Sequence, residues 1–398
     1  MDFYAISSEY QTPFYVYDFD LIKERFLTLK KSFKARKSLI FYAVKANSNL
    51  SLLKMLNEIG SGFDCVSYNE ILRALKIGAN PYKIIFSGVG KSEEELLGAL
   101  RADILYINVE SFDELKTLEK ISKSENKKAR ISIRVNPNID PKTHPYISTG
   151  LSENKFGVSF DEAIKMYLYA NNSDFLEPVG IHFHIGSNLH DIKPIHESAL
   201  LVGDFVSKLK SANINLKFFD IGGGLGVGYE TNYEPDLYEY VQGIFRSLKY
   251  DMTVCLEPGR YLVANAGYLV TKLLYQKTNE GKNFYIVDAS MAELIRPSLY
   301  GAYHKIFALC CKDDEIKVDV VGGVCESGDF LAKDIMLPKL ENGDVLVIKG
   351  AGAYGYSMSS NYNSRTKIAE YAKKDGKIIQ INKAQTFEEM IKTELECL

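Results

Sequence analysis

The first two thirds of the chain alternate short apolar, β-branched runs with amphipathic stretches. The intervening stretches, such as Ser92–Asp103, place apolar residues at three- and four-residue intervals behind a serine, which predicts capped amphipathic helices. Eight strands alternating with helices over roughly 220 residues predict a (β/α)8 (TIM) barrel, although an open doubly wound sheet has the same periodicity. The apolar runs are 39–44, 63–66, 83–86, 104–107, 130–135, 179–183, 218–221 and 253–256.

Beyond about residue 265 strand-like segments are separated by turns rich in Gly and Asp, with little helical pattern. We therefore predict two domains, a barrel over 21–264 and a β-rich barrel or sandwich over 265–398. The alternating segment Phe14–Tyr17, within residues 1–20, is expected to add a strand to the second domain. The polar stretch from Lys373 onward is expected to be a mobile tail or a terminal helix.

The composition is that of a globular protein with a large core. The chain has 398 residues, 46% hydrophobic and 25% charged, with a net charge of −3. This charge gives no reason to expect nucleic acid or an anionic membrane as a partner. We find no apolar run long enough to span a membrane, no signal peptide and no CxxC pair, so we expect a cytoplasmic protein. Cys310 and Cys311 are expected to be core or surface thiols.

Polar residues directly follow the first and eighth predicted strands, where barrel enzymes keep their active sites. Lys45 follows the first strand. Most lysines at such places are ordinary surface residues, but a half-desolvated one can lose its proton and attack an aldehyde. Glu257 follows the eighth strand. It can pair with Arg260 on the surface, or it can keep a cofactor's pyridine nitrogen protonated by its negative charge.

The sixth and seventh strands lead into a histidine pair and a glycine run. His182 and His184 are two residues apart and share a face of an extended strand. We find no third ligand nearby to complete a metal site, so no metal is predicted. One histidine can be hydrogen-bonded in the core, or His184 can stack on a cofactor ring with Ser187 donating to its phosphate. The run Gly222–Gly226 does not match GxGxxG; it is either a simple turn or a phosphate loop.

The β-rich region carries two further candidates. Cys325 is followed by Glu326 and Asp329, and a thiol among acids is expected to keep its proton and act as a proton donor. The alternative is an inert buried cysteine. Tyr354 lies among glycines, from where its hydroxyl could reach a phosphate, but the chain has 26 tyrosines.

Taken together and in this order, the motifs resemble those of the fold-type III decarboxylases that depend on pyridoxal 5'-phosphate (PLP). The resemblance runs from Thr12 to Arg365. Its motifs are YAVKANSN, FDCVS, IIFSGVGK, RVNPNIDPKTHPYISTG, NKFGV, HFHIGSN, DIGGGLG, LEPGR, IRPSLY, CESGDFL and GAYGYSMSSNYNSR.

The resemblance implies a role for each matching residue. Lys45 would bind the cofactor aldehyde as a Schiff base, His184 would stack on the ring and Glu257 would hold the pyridine nitrogen. Cys325 would be the proton donor, on a site shared between the subunits of a head-to-tail homodimer. The cofactor phosphate would be bound by Ser187, Gly223, Gly224, Pro258, Gly259, Arg260 and Tyr354. The substrate would be bound by Arg260, Arg296, Tyr300, Glu326 and Tyr354.

The implied reaction is decarboxylation of meso-2,6-diaminopimelate to L-lysine and CO2, the last step of lysine biosynthesis. The far end of this substrate carries a carboxylate and an ammonium, which suit arginine and glutamate side chains respectively. Rival interpretations are a decarboxylase of carboxynorspermidine or of a basic amino acid, and a PLP-free regulatory binder. Four positions depart from the family pattern, namely Asn188, Ala292, Glu293 and Thr366, and the first three put the exact substrate preference in question.

Overall fold

The computed structural model describes residues 1–140, 154–231, 233–310 and 314–398. Cys311 and part of the RVNPNIDPKTHPYISTG motif lie outside the described residues. The chain forms two compact units. The barrel unit comprises Arg25–Val227 and Glu234–Tyr261, and the β-rich unit comprises Met1–Glu24, Gly228–Tyr233 and Leu262–Leu398.

The chain opens with helix α1 (Phe3–Glu9) and strand β1 (Phe14–Asp18), both in the β-rich unit. The next eight strands pair in sequence order, all parallel, into a closed barrel. This confirms the predicted (β/α)8 barrel and excludes the open sheet. The barrel strands are β2 (Ser38–Ala43), β3 (Gly62–Cys65), β4 (Ile84–Phe86), β5 (Tyr106–Val109), β6 (Ala129–Arg134), β7 (Leu176–His182), β8 (Phe218–Asp220) and β9 (Thr253–Leu256).

Serine caps set the start of most helices between these strands, as their sequences predict. Ser67, Ser92, Ser111 and Ser159 each accept a hydrogen bond from a backbone N–H in the first turn. The helices from α2 to α10 are α2 (Phe19–Ser32), α3 (Leu50–Glu58), α4 (Tyr68–Lys76), α5 (Glu93–Ala102), α6 (Phe112–Ser124), α7 (Phe160–Asn171), α8 (Lys193–Ser211), α9 (Leu237–Ser247) and α10 (Arg260–Val263).

Inside the barrel, side chains from five of the eight strands pack together in the interior, among them Phe41, Ile85, Tyr106, Val179 and Cys255. The barrel is therefore a packed core whose functional surface is left to the loops at its ends.

The second unit is built mostly of β-strands, which confirms the prediction of a β-rich region in addition to the barrel. Its sheet has the order β14-β13-β11-β10-β1-β16-β17, with β15 pairing both β10 and β12. Strand β1 lies between β10, which is antiparallel to it, and β16, which is parallel. Its strands and helices are β10 (Gly267–Asn279), β11 (Lys282–Val287), α11 (Arg296–Tyr300), β12 (Ile306–Ala308), β13 (Glu315–Val321), β14 (Phe330–Pro338), β15 (Val345–Lys349), β16 (Ala369–Lys374), β17 (Lys377–Asn382) and α12 (Phe387–Leu395).

The end of the chain is more regular than its polar composition indicated. Lys373 lies within β16, which forms a hairpin with β17, and the stretch that follows is α12 with a Thr386 capping box. Among the described residues, no helix is both long enough and apolar enough to cross a membrane.

Candidate active site

Lys45 lies in a single 3-10 turn, Val44–Ala46, that directly follows β2. Its Nζ is 3.5 Å from Oδ2 of Asp64 on β3, and its side chain is 41% exposed whereas that of Asp64 is fully buried. Ser87 fixes the other oxygen of Asp64 with a hydrogen bond of 2.7 Å. Lys45 is therefore no ordinary surface lysine, since it faces a buried and oriented carboxylate.

Glu257 follows β9 and is buried. His182 at the end of β7 places its Nε2 3.3 Å from Oε1 and 3.4 Å from Oε2 of this carboxylate. Only the contact with Oε2 has hydrogen-bond geometry, and no donor among the described residues reaches Oε1. Burial, with the neighbouring charge of Asp64, raises the pKa of Glu257 well above its usual range. Glu257 is thus a core carboxyl with one acceptor atom left over, and the surface pair with Arg260 is excluded.

The two histidines have different surroundings. Burial lowers the pKa of His182 to about 4, so this ring is neutral at neutral pH and is the core histidine of the pair. Atoms of His182, Asp220 and Glu257 that could bind a metal lie within 4.8 Å of one another. This group contains only one of the two histidines, His182, and its other members, Asp220 and Glu257, come from the ends of the next two strands.

His184 is half-buried beyond the end of β7 and accepts a hydrogen bond of 3.2 Å at Nδ1 from the backbone N–H of Gly223. Burial and the positive charges of Arg134 and Lys45 lower its pKa well below the usual range, so it too is neutral. A neutral, oriented imidazole can offer its flat face to an aromatic ring.

The glycine run after β8 is required by close backbone approach. Gly222 and Gly224 have positive φ angles of 67° and 109°. A Cβ on Gly223 would lie 2.4 Å from the carbonyl oxygen of Glu257, and one on Gly224 would lie 2.8 Å from that of Gly186. The loops after β7, β8 and β9 therefore contact one another through bare backbone, an arrangement that can enclose an anion.

The loop after β9 also joins the loops after β7 and β2. Nε of Arg260 donates to Oγ of Ser187 at 3.2 Å. Pro258 accepts a hydrogen bond of 3.3 Å from the backbone N–H of Ala43, and a Cβ on Gly259 would lie 3.0 Å from the Cβ of Ala46. All the site residues predicted in the barrel unit are thus brought to one end of the barrel, beside the turn that carries Lys45.

These residues fit PLP. A lysine amine can attack its aldehyde, the spare Oε1 of Glu257 can accept from a pyridinium N–H, and the glycine run leaves room for a phosphate beside backbone. The fit rests on the buried acceptor atom and on the crowded glycine backbone described above.

The remaining predicted residues lie in the β-rich unit, where Arg296 is buried at the start of α11. Its Nη1 is 2.9 Å from Nε2 of His304, and its guanidinium lies 4.8 Å from the ring centroid of Tyr229. Nδ1 of His304 lies 2.9 Å from the carbonyl oxygen of Lys349, to which it donates. Nε2 is then the acceptor that orients Arg296. Tyr300, at the end of the same helix, is half-buried.

Cys325 and Glu326 are exposed, so Cys325 is not an inert core cysteine. The backbone around them is fixed: the N–H of Cys325 donates to Oδ1 of Asn363 at 2.7 Å, and Asp329 accepts from the N–H groups of Met291 and Val324. The loop that carries Cys325 and Glu326 is therefore held in place by hydrogen bonds to its backbone. Tyr354 is half-buried with a φ of 57°.

Two departures from the family pattern have local structural roles. Asn188 has a φ of 60°, a conformation that asparagine tolerates, and its Oδ1 accepts from the N–H of Val227 at 2.9 Å. Glu293 is buried and accepts from both the N–H and the hydroxyl of Ser290. Each therefore has partners within its own unit.

Asp220 and Tyr106 were missed as site residues. The hydroxyl of Tyr106 on β5 donates a hydrogen bond of 2.8 Å to Oδ2 of Asp220, a residue distant from it in sequence. The sequence carried one signal for Asp220: it is an ionisable residue inside an apolar strand, and a buried carboxyl needs a partner.

The comparisons with known proteins agree with this geometry. The family model described as "Pyridoxal-dependent decarboxylase, pyridoxal binding domain" matches residues 19–264. The chain belongs to the pyridoxal-dependent decarboxylase family, whose cofactor is PLP.

Similarity then extends over the whole chain. A diaminopimelate decarboxylase of Campylobacter jejuni is 61% identical over 396 residues, 99% of this chain and 98% of that protein. The crystal structure of diaminopimelate decarboxylase from Helicobacter pylori complexed with L-lysine superposes with a TM-score of 0.97 at 54% identity, covering 100% of both chains. The corresponding enzyme of M. jannaschii, also in complex with L-lysine, has a TM-score of 0.93 at 35% identity, covering 98% of this chain and 93% of that one.

Proposed function

We propose that the chain decarboxylates meso-2,6-diaminopimelate to L-lysine and CO2, with PLP bound covalently to Lys45. The observation that carries the proposal is that two residues lie at the same end of the barrel. One is Lys45, whose amine can attack an aldehyde, and the other is the buried Glu257, whose Oε1 has no described donor. The relatives named above, whose names carry this activity, support the choice of substrate.

When bound, PLP supplies an electron sink for the bond that breaks on loss of CO2. Glu257 holds a proton at the pyridine nitrogen and thereby keeps the sink effective. The imidazole of His184, oriented by Gly223, packs against the ring. Ser187, Gly223, Gly224, the backbone of Pro258–Arg260 and the hydroxyl of Tyr354 hold the phosphate.

The β-rich unit supplies the groups that handle the substrate. Arg296, oriented by His304, binds the distal carboxylate, and Glu326 binds the distal ammonium. Arg260, Tyr300 and Tyr354 complete the substrate contacts. The thiol of Cys325 then delivers its proton to the α-carbon after CO2 leaves.

We further propose that the functional form is a homodimer in which Cys325 and Glu326 of one subunit serve the Lys45 site of the other. The exposure of both side chains within their own chain supports this arrangement. We infer a cytoplasmic location, because every described cysteine is a free thiol, as expected in a reducing compartment. No nucleic acid is expected as a partner.

Borohydride trapping and a substrate panel test the proposal. The purified protein is incubated with PLP and reduced, and peptide mass mapping is expected to find the cofactor on Lys45. CO2 release is then measured with meso-diaminopimelate, carboxynorspermidine, ornithine, arginine and lysine. Fastest turnover of any substrate but the first would overturn the substrate assignment, and the absence of trapped cofactor would overturn the whole proposal in favour of a PLP-free binder.

A further inference from the structure

Asp220 and Glu257 are two buried carboxyls that lie side by side. Asp220 ends β8, which pairs with the strand that Glu257 follows, and their oxygens lie within 4.8 Å of each other and of His182. The two residues are 0% and 6% exposed. His182 does not supply a positive charge between them, since burial lowers its pKa to about 4. Two adjacent buried carboxylates cannot both ionise without a large cost, so the pair holds a proton.

The hydrogen-bond donors decide which carboxyl keeps that proton. Asp220 accepts from the hydroxyl of Tyr106 at 2.8 Å and from the N–H of Gly222 at 3.0 Å. Glu257 receives no described donor at Oε1 and only the 3.4 Å contact with His182 at Oε2. Donors stabilise the ionised form of a carboxyl. Asp220 is therefore the anion, and Glu257 is the acid.

Burial is the largest influence on both carboxyls and raises both pKa values. The two carboxyls also act on each other, since the charge of Glu257 raises the pKa of Asp220 and a hydrogen bond with the Asp220 side chain lowers that of Glu257. The donors from Tyr106 and Gly222 are what favour the charge on Asp220. Asp64 adds to the rise for Glu257, whereas Lys45 and Arg134 oppose it. The titratable and charged groups that face the pair are Lys45, Asp64, Tyr106, Glu110, Arg134, His182, Tyr240 and Cys255.

We propose that Asp220 is a positioning residue whose charge, fixed by Tyr106 and Gly222, keeps a proton on Glu257 before the cofactor arrives. The inference rests on the proposed function for the recipient of that proton, the pyridine nitrogen. If that proton passed to a bound pyridine nitrogen, the O–H bond of Glu257 would break and an N–H bond would form, so one neutral pair would become one ion pair. The net charge of the site would not change, and no proton would be drawn from solvent.

Infrared spectroscopy of the cofactor-free protein tests this directly, because a protonated carboxyl has its own C=O stretching band. At pH 7, the difference between the native protein and Glu257→Gln is expected to contain one such band. Labelling all glutamates with 13C at the side-chain carboxyl should shift that band, whereas labelling all aspartates should not. This isotope comparison also works without Asp220→Asn, should that variant fail to fold.

In Asp220→Asn, the Glu257 band is expected to titrate at a pH lower by about one unit or more, because the neighbouring negative charge is gone. In Tyr106→Phe the band is expected to weaken, since Asp220 then competes for the proton. Glu70 is the matched control: it is a half-buried glutamate near Lys45, with a pKa raised by burial to about 7, and its band should not respond to Asp220→Asn.

A band that shifts with the aspartate label, or that is absent from the native-minus-Glu257→Gln difference at pH 7, would overturn the proposal. An Asp220→Asn midpoint equal to the native one would do the same. Because these spectra need no cofactor, they stand apart from the borohydride test: if no PLP is trapped on Lys45, the proposed function fails whatever the carboxyl bands show.

Discussion

The barrel unit and the Cys325–Glu326 loop of the β-rich unit hold their candidate site residues in opposite ways. In the barrel unit the side chains face one another: Tyr106 is hydrogen-bonded to Asp220, His182 contacts Glu257, and the atoms of Asp220, His182 and Glu257 lie within 4.8 Å of one another. In the β-rich unit Cys325 and Glu326 are exposed, and it is their backbone that is fixed. The barrel site is thus stabilised by contacts among its own side chains, whereas the Cys325–Glu326 loop presents its side chains outward.

This contrast predicts two different responses to substitution. Substitutions at the site of the barrel unit should disturb cofactor binding and the local structure together, because the same contacts serve both. Changes at the exposed thiol should leave folding and cofactor binding intact and affect the chemistry alone.

The largest effect is expected for Lys45→Ala. Without an amine at this position the cofactor aldehyde has no covalent partner in the site, so borohydride-reducible PLP and CO2 release should both fall to background. Lys54→Ala, an exposed lysine on the following helix, is the control and should retain both signals. Trapped cofactor in Lys45→Ala would refute the assignment.

Cys325→Ala should lower kcat by roughly 100- to 10,000-fold, the usual loss when a general acid is removed. The trapped cofactor and the thermal midpoint should stay at native values because the side chain is exposed. Cys397→Ala removes another exposed thiol and should be silent. A loss of trapped cofactor in Cys325→Ala would show that the Cys325 loop is not independent of the cofactor site in the barrel unit.

Mixing the two inactive variants tests whether the halves come from different subunits. When Lys45→Ala and Cys325→Ala dimers are dissociated and reassembled together, half of the dimers should be mixed, each with one intact site, restoring about a quarter of native activity. Mixing each variant with itself is the control. Failure to recover activity, with mixed dimers shown by mass spectrometry, would place both residues in one chain's site.

Gly223→Ala probes the internal packing of the barrel half. The added Cβ would meet the carbonyl oxygen of Glu257 at 2.4 Å, so the backbone must shift, at an expected cost of about 1–3 kcal/mol in stability together with weaker PLP binding. Gly90→Ala is the matched control, since its Cβ would meet nothing within 4 Å. Equal unfolding midpoints in urea for the two variants would contradict this account.

The smallest effect concerns pH. The pKa of His182 in the folded protein is about 4, below its ordinary 6.5, so protons bind this histidine more readily in the unfolded chain. The stability that neutral His182 gives the fold is therefore complete above pH 6.5 and is lost as the pH falls toward 4. From pH 7 to 5.5 this loss should amount to about 1 kcal/mol, absent from His182→Gln and retained in His196→Gln. Urea unfolding at the two pH values measures it; the same loss in both variants would exclude His182 as its source.

Much of the fold is readable from local pattern. All eight barrel strands were predicted, since β-branched runs between serine-capped helices leave few alternatives. The predicted fourth strand began at Ile104, but β5 begins at Tyr106, because the carbonyl oxygens of Ile104 and Leu105 accept hydrogen bonds from the side chain of Arg130. An apolar run shows burial and does not show where ladder pairing starts.

The parts that local pattern did not show depend on distant partners. Helix α1 and the β16–β17 hairpin have polar or mixed sequences, and tertiary contacts stabilise them. Gly228–Tyr233 belongs to the β-rich unit although it lies inside the predicted barrel segment. For the site, the motifs named Lys45, His184 and Glu257 individually, whereas the Tyr106–Asp220 bond joins β5 and β8 and has no local signature.

The position of β1 has a consequence for synthesis. This strand, Phe14–Asp18, pairs on one side with Gly267–Val270 and on the other with Ala369–Lys373. On the ribosome, the whole barrel segment emerges while both edges of β1 still lack their neighbours, and the second neighbour follows the last barrel strand by more than 100 residues. The barrel can therefore close during elongation, whereas the sheet around β1 has to wait until Ala369–Lys373 has left the exit tunnel.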